Sequence, residues 1–248
     1  TDFGVPGIHL RLEHMLEDIA TMADNPYYNR FYAYDLNQAQ GHQYTYCAYF
    51  WDGYYTWIRL VNDVILSITP VVEAAGETED AETIEMKDIL GQAYAYRAMC
   101  YLDLARLYEY KENDYITDYP EAILGLTVPI VDEFTTLEET KSNPRATRED
   151  MYNFIFSDLS KAVKLLDETQ TTFSRPNLNA VYGLYARAYL ELGYSDDPAF
   201  PRNECFTQAA KYARLVIDEG GFSPLTQEQW EDPVNGFNNA AANNSWIW

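Results

Sequence analysis

The stretch ARAYLELG, residues 186–193, nearly repeats AMCYLDLA, residues 98–105. Ala186 matches Ala98, Tyr189 matches Tyr101, and Leu190 and Leu192 match Leu102 and Leu104. An acid, Glu191 or Asp103, stands between the leucines each time, and read backwards Tyr182 pairs with Tyr94. A small residue three positions before a tyrosine and another four positions after it share one helix face, where a neighbouring helix approaches closely. The repetition points to helical hairpins.

Outward from the first phrase, Leu90, Tyr94, Ala98, Tyr101, Ala105 and Tyr108 recur at steps of four and three, which predicts a long helix over residues 79–110. Leu178, Tyr182, Ala186, Tyr189 and Gly193 repeat that spacing. Phe206, Ala210, Ala213 and Ile217 resume it after a Pro-containing insertion at 194–201, so an antiparallel helix pair is expected there. In PRATREDMYNF, Thr147 stands three residues before Asp150 in the manner of a capping box. Met151, Ile155, Leu159, Val163 and Leu166 then form the stripe of a helix over 147–168. Residues 6–23 and 47–69 also read as helices. LGLTVPIVDEF, residues 124–134, is short and broken by Pro129, and reads as an extended loop or short strand. The expected fold is all-α, with irregular tetratricopeptide-like hairpins and long loops. The 88 residues from Ala98 to Ala186 do not fit a clean 34-residue period. Stacked hairpins bury one continuous core and leave a surface for partners.

The chain has 248 residues, 47% hydrophobic and 23% charged, enough for a substantial core, and it contains no long uninterrupted apolar run of the kind that spans a membrane. Its formal charge of −22, without a concentrated Lys/Arg patch, opposes nucleic acid and anionic lipid surfaces. Cys47, Cys100 and Cys205 are odd in number and lack a Cys-x-x-Cys pair, which supports neither a disulfide framework nor a zinc site. Cys100 reads as a small core residue. TDFGVPG at the start has no basic region followed by an apolar one, the pattern of a signal peptide.

YTYCAYFWDGYYTW, residues 44–57, holds eight aromatic residues in fourteen. Phe50, Tyr54, Ile58, Val61 and Ile65 form an ordinary core stripe, whereas Tyr44, Tyr46 and Trp51 do not fall on it. Flat amphipathic rings at a surface suit the apolar faces of sugars. Covering about 40 Å² of ring contributes on the order of 1 kcal/mol each. A second cluster, WEDPVNGFNNAAANNSWIW, surrounds Trp230, Trp246 and Trp248 with asparagines able to donate to and accept from hydroxyl groups. The simpler reading, a polar loop with its tryptophans anchored in the core, is the one favoured here.

Other chemistry finds little support. His9, Glu13 and Glu17 share a helix face, but three such residues without a partner segment describe a solvated face better than a metal site, and no metal is expected. His14 and His42 have no Ser or Cys nucleophile in a recognisable motif. No Gly-rich phosphate loop or Gly-x-Ser-x-Gly is present, and no cofactor is expected. A carboxylate pair of the glycosidase kind cannot be chosen among 39 acids by sequence.

LGQAYAYRAMCYLDLARLYEY, then LTVPIV, then PRATREDMYNFIFSDLSKAVKLL, then RPNLNAVYGLYARAYLELG, then AAKYARLVIDEGGFSPL resemble the SusD/RagB family in wording and order, and WDGYYTWIRLVNDVI looks like that family's preceding helix. The resemblance covers most of residues 45–226. It implies an outward-facing outer-membrane lipoprotein of Bacteroidetes that binds a glycan, or in some members a peptide, without catalysis. It also implies a SusC-like TonB-dependent transporter as partner and irregular tetratricopeptide-like helix pairs as scaffold. Family members are longer. The present chain lacks their lipid-bearing N-terminal cysteine and second half, so it is expected to be one helical domain over 1–248, cut at both ends, with membrane attachment only through that absent anchor. In the family's architecture the loop before the WDGYYTW helix contributes to the site, which makes His42, Tyr44, Tyr46 and Trp51 the expected ligand contacts. The alternatives are a tetratricopeptide-type scaffold for a protein or peptide and, third, a helical glycoside hydrolase.

Overall fold

A computed structural model of the chain describes residues 45–77, 80–112, 120–168, 173–237, 239, 241 and 244–248, the side chains of 45–47 excepted. The helix expected over 6–23, with His9, Glu13, His14 and Glu17, lies outside the described residues. The chain divides into two compact units, Thr1–Trp57 and Ile58–Trp248. α1, Thr45–Ala75, belongs to both. Of its expected stripe, Phe50, Tyr54, Ile58 and Ile65 are buried and Val61 is half-buried.

The second unit is built from capped helices. α2, Ala81–Tyr108, starts where the Asp80 carboxylate accepts the Thr83 N–H at 2.8 Å. α3, Arg148–Leu165, starts at Thr147, whose hydroxyl accepts the Asp150 N–H at 3.1 Å. α4, Leu178–Gly193, starts at Asn177, which accepts the Ala180 N–H at 3.1 Å. Each cap satisfies a donor that the helix itself leaves unpaired, a contribution of about 1 kcal/mol. α5, Arg202–Arg214, runs on through a π-helical turn, Leu215–Glu219, and α6 is the short Gln227–Glu231. α2 packs on α3, α4 packs on α5, and α3 meets α4. The all-α reading holds, as irregular stacked hairpins joined by long loops.

Two glycines allow the closest approaches. A Cβ on Gly91 of α2 would stand 2.7 Å from Leu166 Cγ just past α3, and one on Gly193 of α4 would stand 2.3 Å from the Phe206 ring of α5. The helix pairs come together where the side chain is missing.

Residues 126–132, between turns at 124–125 and 133–134, form an extended segment that makes a single antiparallel bridge, Leu126 with Thr147, and no strand ladder among the described residues. Pro129 has no N–H with which to extend the bridge. The segment is held instead by side chains of the helices. Tyr101 donates its hydroxyl to the Val131 carbonyl at 2.9 Å and accepts the Val131 N–H at 2.7 Å, and Asn62 Nδ2 donates to the same carbonyl at 3.0 Å. Arg97, 1% exposed, is the hub. It forks onto Asp158 of α3 at 2.7 and 2.9 Å, and donates to Asn62 at 2.7 Å and to Glu133 of the segment at 2.5 Å, with its guanidinium 4.9 Å from the centre of the Phe154 ring. Burial works against the Arg97 charge, but the hydrogen bonds and attraction of Asp158 and Glu133 outweigh it and hold the guanidinium protonated.

Candidate carbohydrate-contact surfaces

In the first unit, three successive turns of α1 carry aromatic residues at more positions than one stripe can bury. Phe50 and Tyr54 take the buried face. Trp51 and Tyr55 lie one position further on, rotated by about 100° around the helix, and are half-buried. Their rings stand 4.9 Å apart, tilted by 39°, with exposed Asp52 and Thr56 beside them. Tyr54 meets Trp57 edge-on at 5.2 Å and 81°, which steadies the base of the cluster. This arrangement offers aromatic surface beside a carboxylate and a hydroxyl, groups suited to a sugar's apolar face and hydroxyls.

Of the four expected contacts, Trp51 alone has a described side chain. Tyr46 sits in the first turn of α1, and His42 and Tyr44 lie outside the described residues. Tyr55 was not among the expected contacts. Its signal was the i, i+4 spacing from Trp51.

The second unit carries another aromatic surface. Trp230 of α6 is 59% exposed and lies 4.7 Å from Phe237, which lies 5.3 Å from Trp246. Asp232 accepts the N–H groups of Val234 and Asn235 at 2.8 and 3.0 Å and so fixes the turn between them. The expected core anchoring fails at Trp230, which no neighbouring element covers. Trp246 and Trp248 are half-buried. Trp248 packs edge-on against Tyr96 of α2 at 5.6 Å, and the Trp246 indole N–H is buried without an acceptor among the described residues.

Cys100 and Cys205 are buried free thiols, and burial raises both above the ordinary thiol value, which leaves neither primed as a thiolate. Among the described residues no group of three or more His, Cys, Asp or Glu is arranged to hold a metal ion, and no helix is long and apolar enough to cross a membrane.

The profile of the SusD-like family, described as starch-binding and associating with the outer membrane, matches residues 7–190. Among solved structures, the chain resembles a SusD-like carbohydrate-binding protein from Bacteroides vulgatus at 20% identity, over 99% of this chain and 44% of that one, with a TM-score of 0.67. It resembles a putative sugar-binding protein of the same species at 28% identity, over 79% and 38% of the two chains, with a TM-score of 0.54. A laminarin-binding SusD-like protein matches at 18% identity, over 77% and 35%, with a TM-score of 0.54. The chain thus spans less than half the length of these structures. No curated protein matches it. With its profile match covering well over half of the residues and its helices following the same course, the chain belongs to the SusD-like family.

Proposed function

We propose that this chain is the helical part of a non-catalytic glycan-binding protein on the outer face of the outer membrane, carried there by a lipid anchor, and that it serves import through a SusC-like TonB-dependent transporter. The observation that carries the reading is the Trp51–Tyr55 pair, half-open to solvent beside a carboxylate in a member of a starch-binding family. His42, Tyr44, Tyr46 and Trp51 are assigned to the ligand, with Tyr55 added. The laminarin-binding relative supports a polysaccharide as the ligand class.

The test is a panel of soluble polysaccharides in affinity gel retardation against the full-length protein, with reducing ends assayed in the same samples. Retardation by one glycan class without new reducing ends is expected; new reducing ends would overturn the non-catalytic reading. Replacing Trp51 with Ala removes roughly 1 kcal/mol of stacking, about a fivefold loss of affinity, with helical circular dichroism unchanged. Unaltered affinity in that variant would remove Trp51 from the site.

A further inference from the structure

Apart from the rings of α1, the second unit contains a cluster that crosses three helices. Phe156 of α3 stacks on Tyr189 of α4 with centroids 4.4 Å apart, and Tyr185 of α4 stacks on Tyr212 of α5 at 4.3 Å and 7°. The two pairs are joined by Phe156–Tyr185 at 5.7 Å and 9° and by Tyr189–Tyr212 at 5.9 Å and 8°. Tyr182 adds a fifth ring 5.9 Å from Tyr212. Phe156, Tyr182, Tyr189 and Tyr212 are half-buried, so the cluster reaches solvent. The hydroxyls of Tyr182, Tyr189 and Tyr212 have no hydrogen-bond partner among the described residues.

Three carboxylates act on these rings. Burial raises the Tyr182 and Tyr189 phenols, and the negative charges of Glu168 and Glu219 at Tyr182 and of Glu204 at Tyr189 push them the same way. All three glutamates are exposed, and none has a cationic partner among the described residues. One cation is already seated on the cluster: Lys211 Nζ lies 5.4 Å from the centre of the Tyr212 ring. Electron-rich ring faces attract ammonium and guanidinium groups, and nearby carboxylates strengthen the preference.

We propose that this face is a docking surface for a Lys/Arg-bearing segment of a protein partner. A neutral sugar gains nothing from the three exposed carboxylates, whereas a basic segment is attracted by them. A basic segment neutralises the rim and places its cations over the ring faces still open. The cluster shares no residue with the α1 rings, so the peptide titration is read independently of glycan binding there.

The experiment titrates the full chain, labelled with ¹³C in its tyrosine rings, with the acetylated amide peptide Arg-Gly-Arg-Gly-Arg. The ring signals of Tyr182, Tyr189 and Tyr212 are expected to move saturably. The pair Glu204→Gln/Glu219→Gln leaves the packing intact and should weaken the peptide about two- to fivefold. The pair Glu138→Gln/Glu139→Gln, which removes equal charge from the loop before α3, should leave binding unchanged. Tyr212→Leu should weaken binding to a similar extent as the first pair, provided its circular dichroism matches the parent. Equal weakening by both glutamine pairs would reduce the effect to net charge and overturn the proposal. So would unmoved ring signals, or the same shifts produced by a panel polysaccharide instead of the peptide.

Discussion

The two copies of the repeated phrase have different fates. In the first, Tyr101 is fully buried and its hydroxyl exchanges two hydrogen bonds with Val131; in the second, Tyr189 is half-buried, stacks on Phe156 and finds no partner for its hydroxyl among the described residues. Leu102 and Leu104 are both in the core, whereas Leu192 is buried but Leu190 is 49% exposed. Asp103 is buried under Arg187, while Glu191 reaches Lys111 at 2.8 Å near the surface. The phrase at 98–105 lies in the middle of the stack, beneath the Val131 segment and against α3. The phrase at 186–193 lies further along, with α5 as its main neighbour. One amphipathic spelling serves both places because helix packing asks only for small residues and an apolar stripe. The polar atoms then take whatever partners the surroundings supply.

The largest effect separating the two regions should come from Arg97. Arg97→Met leaves the Asp158 and Glu133 carboxylates without their cation in a buried setting and should cost about 3–5 kcal/mol in urea unfolding. The double variant Arg97→Met/Asp158→Leu should recover part of that loss, since an apolar pair of similar volume leaves only Glu133 without its cation. No recovery would assign the cost to packing alone.

A sharper comparison is the same change in both phrases. Tyr101→Phe strips the Val131 N–H of its acceptor and should cost about 1–3 kcal/mol, with faster protease cleavage in residues 124–134. Tyr189→Phe should stay within about 0.5 kcal/mol of the parent. Equal costs, measured by chemical denaturation, would erase the distinction drawn here. The last position of each phrase supplies the remaining comparison. Gly193→Ala forces the Phe206 ring to move and should cost about 1–3 kcal/mol, against about 1 kcal/mol for Ala105→Gly, which loses helix propensity without a clash.

Much of the architecture was legible. The 79–110 and 147–168 helices end within three residues of α2 and α3, because long stripes and the Thr147 cap are local signals. The α1 core stripe was likewise visible in its spacing. The site was less legible. Trp51 stood out because it fell off the stripe, while Tyr55 was passed over in a run where every turn is aromatic. The tryptophans of the final segment were expected in the core, and Trp230 is exposed, since composition does not tell how long a helix will be or what will cover it.

By itself, the order of residues determined that the chain is helical, where its helices begin, which faces they bury, and its SusD-like membership, because each of these rests on spacing and wording along the chain. Only the tertiary structure decided that Arg97 holds a non-helical segment to two helices, that the repeated tyrosines part company, and that five rings from three helices meet. Those juxtapositions join residues tens of positions apart. Their energies come from burial and from partners that no local pattern contains.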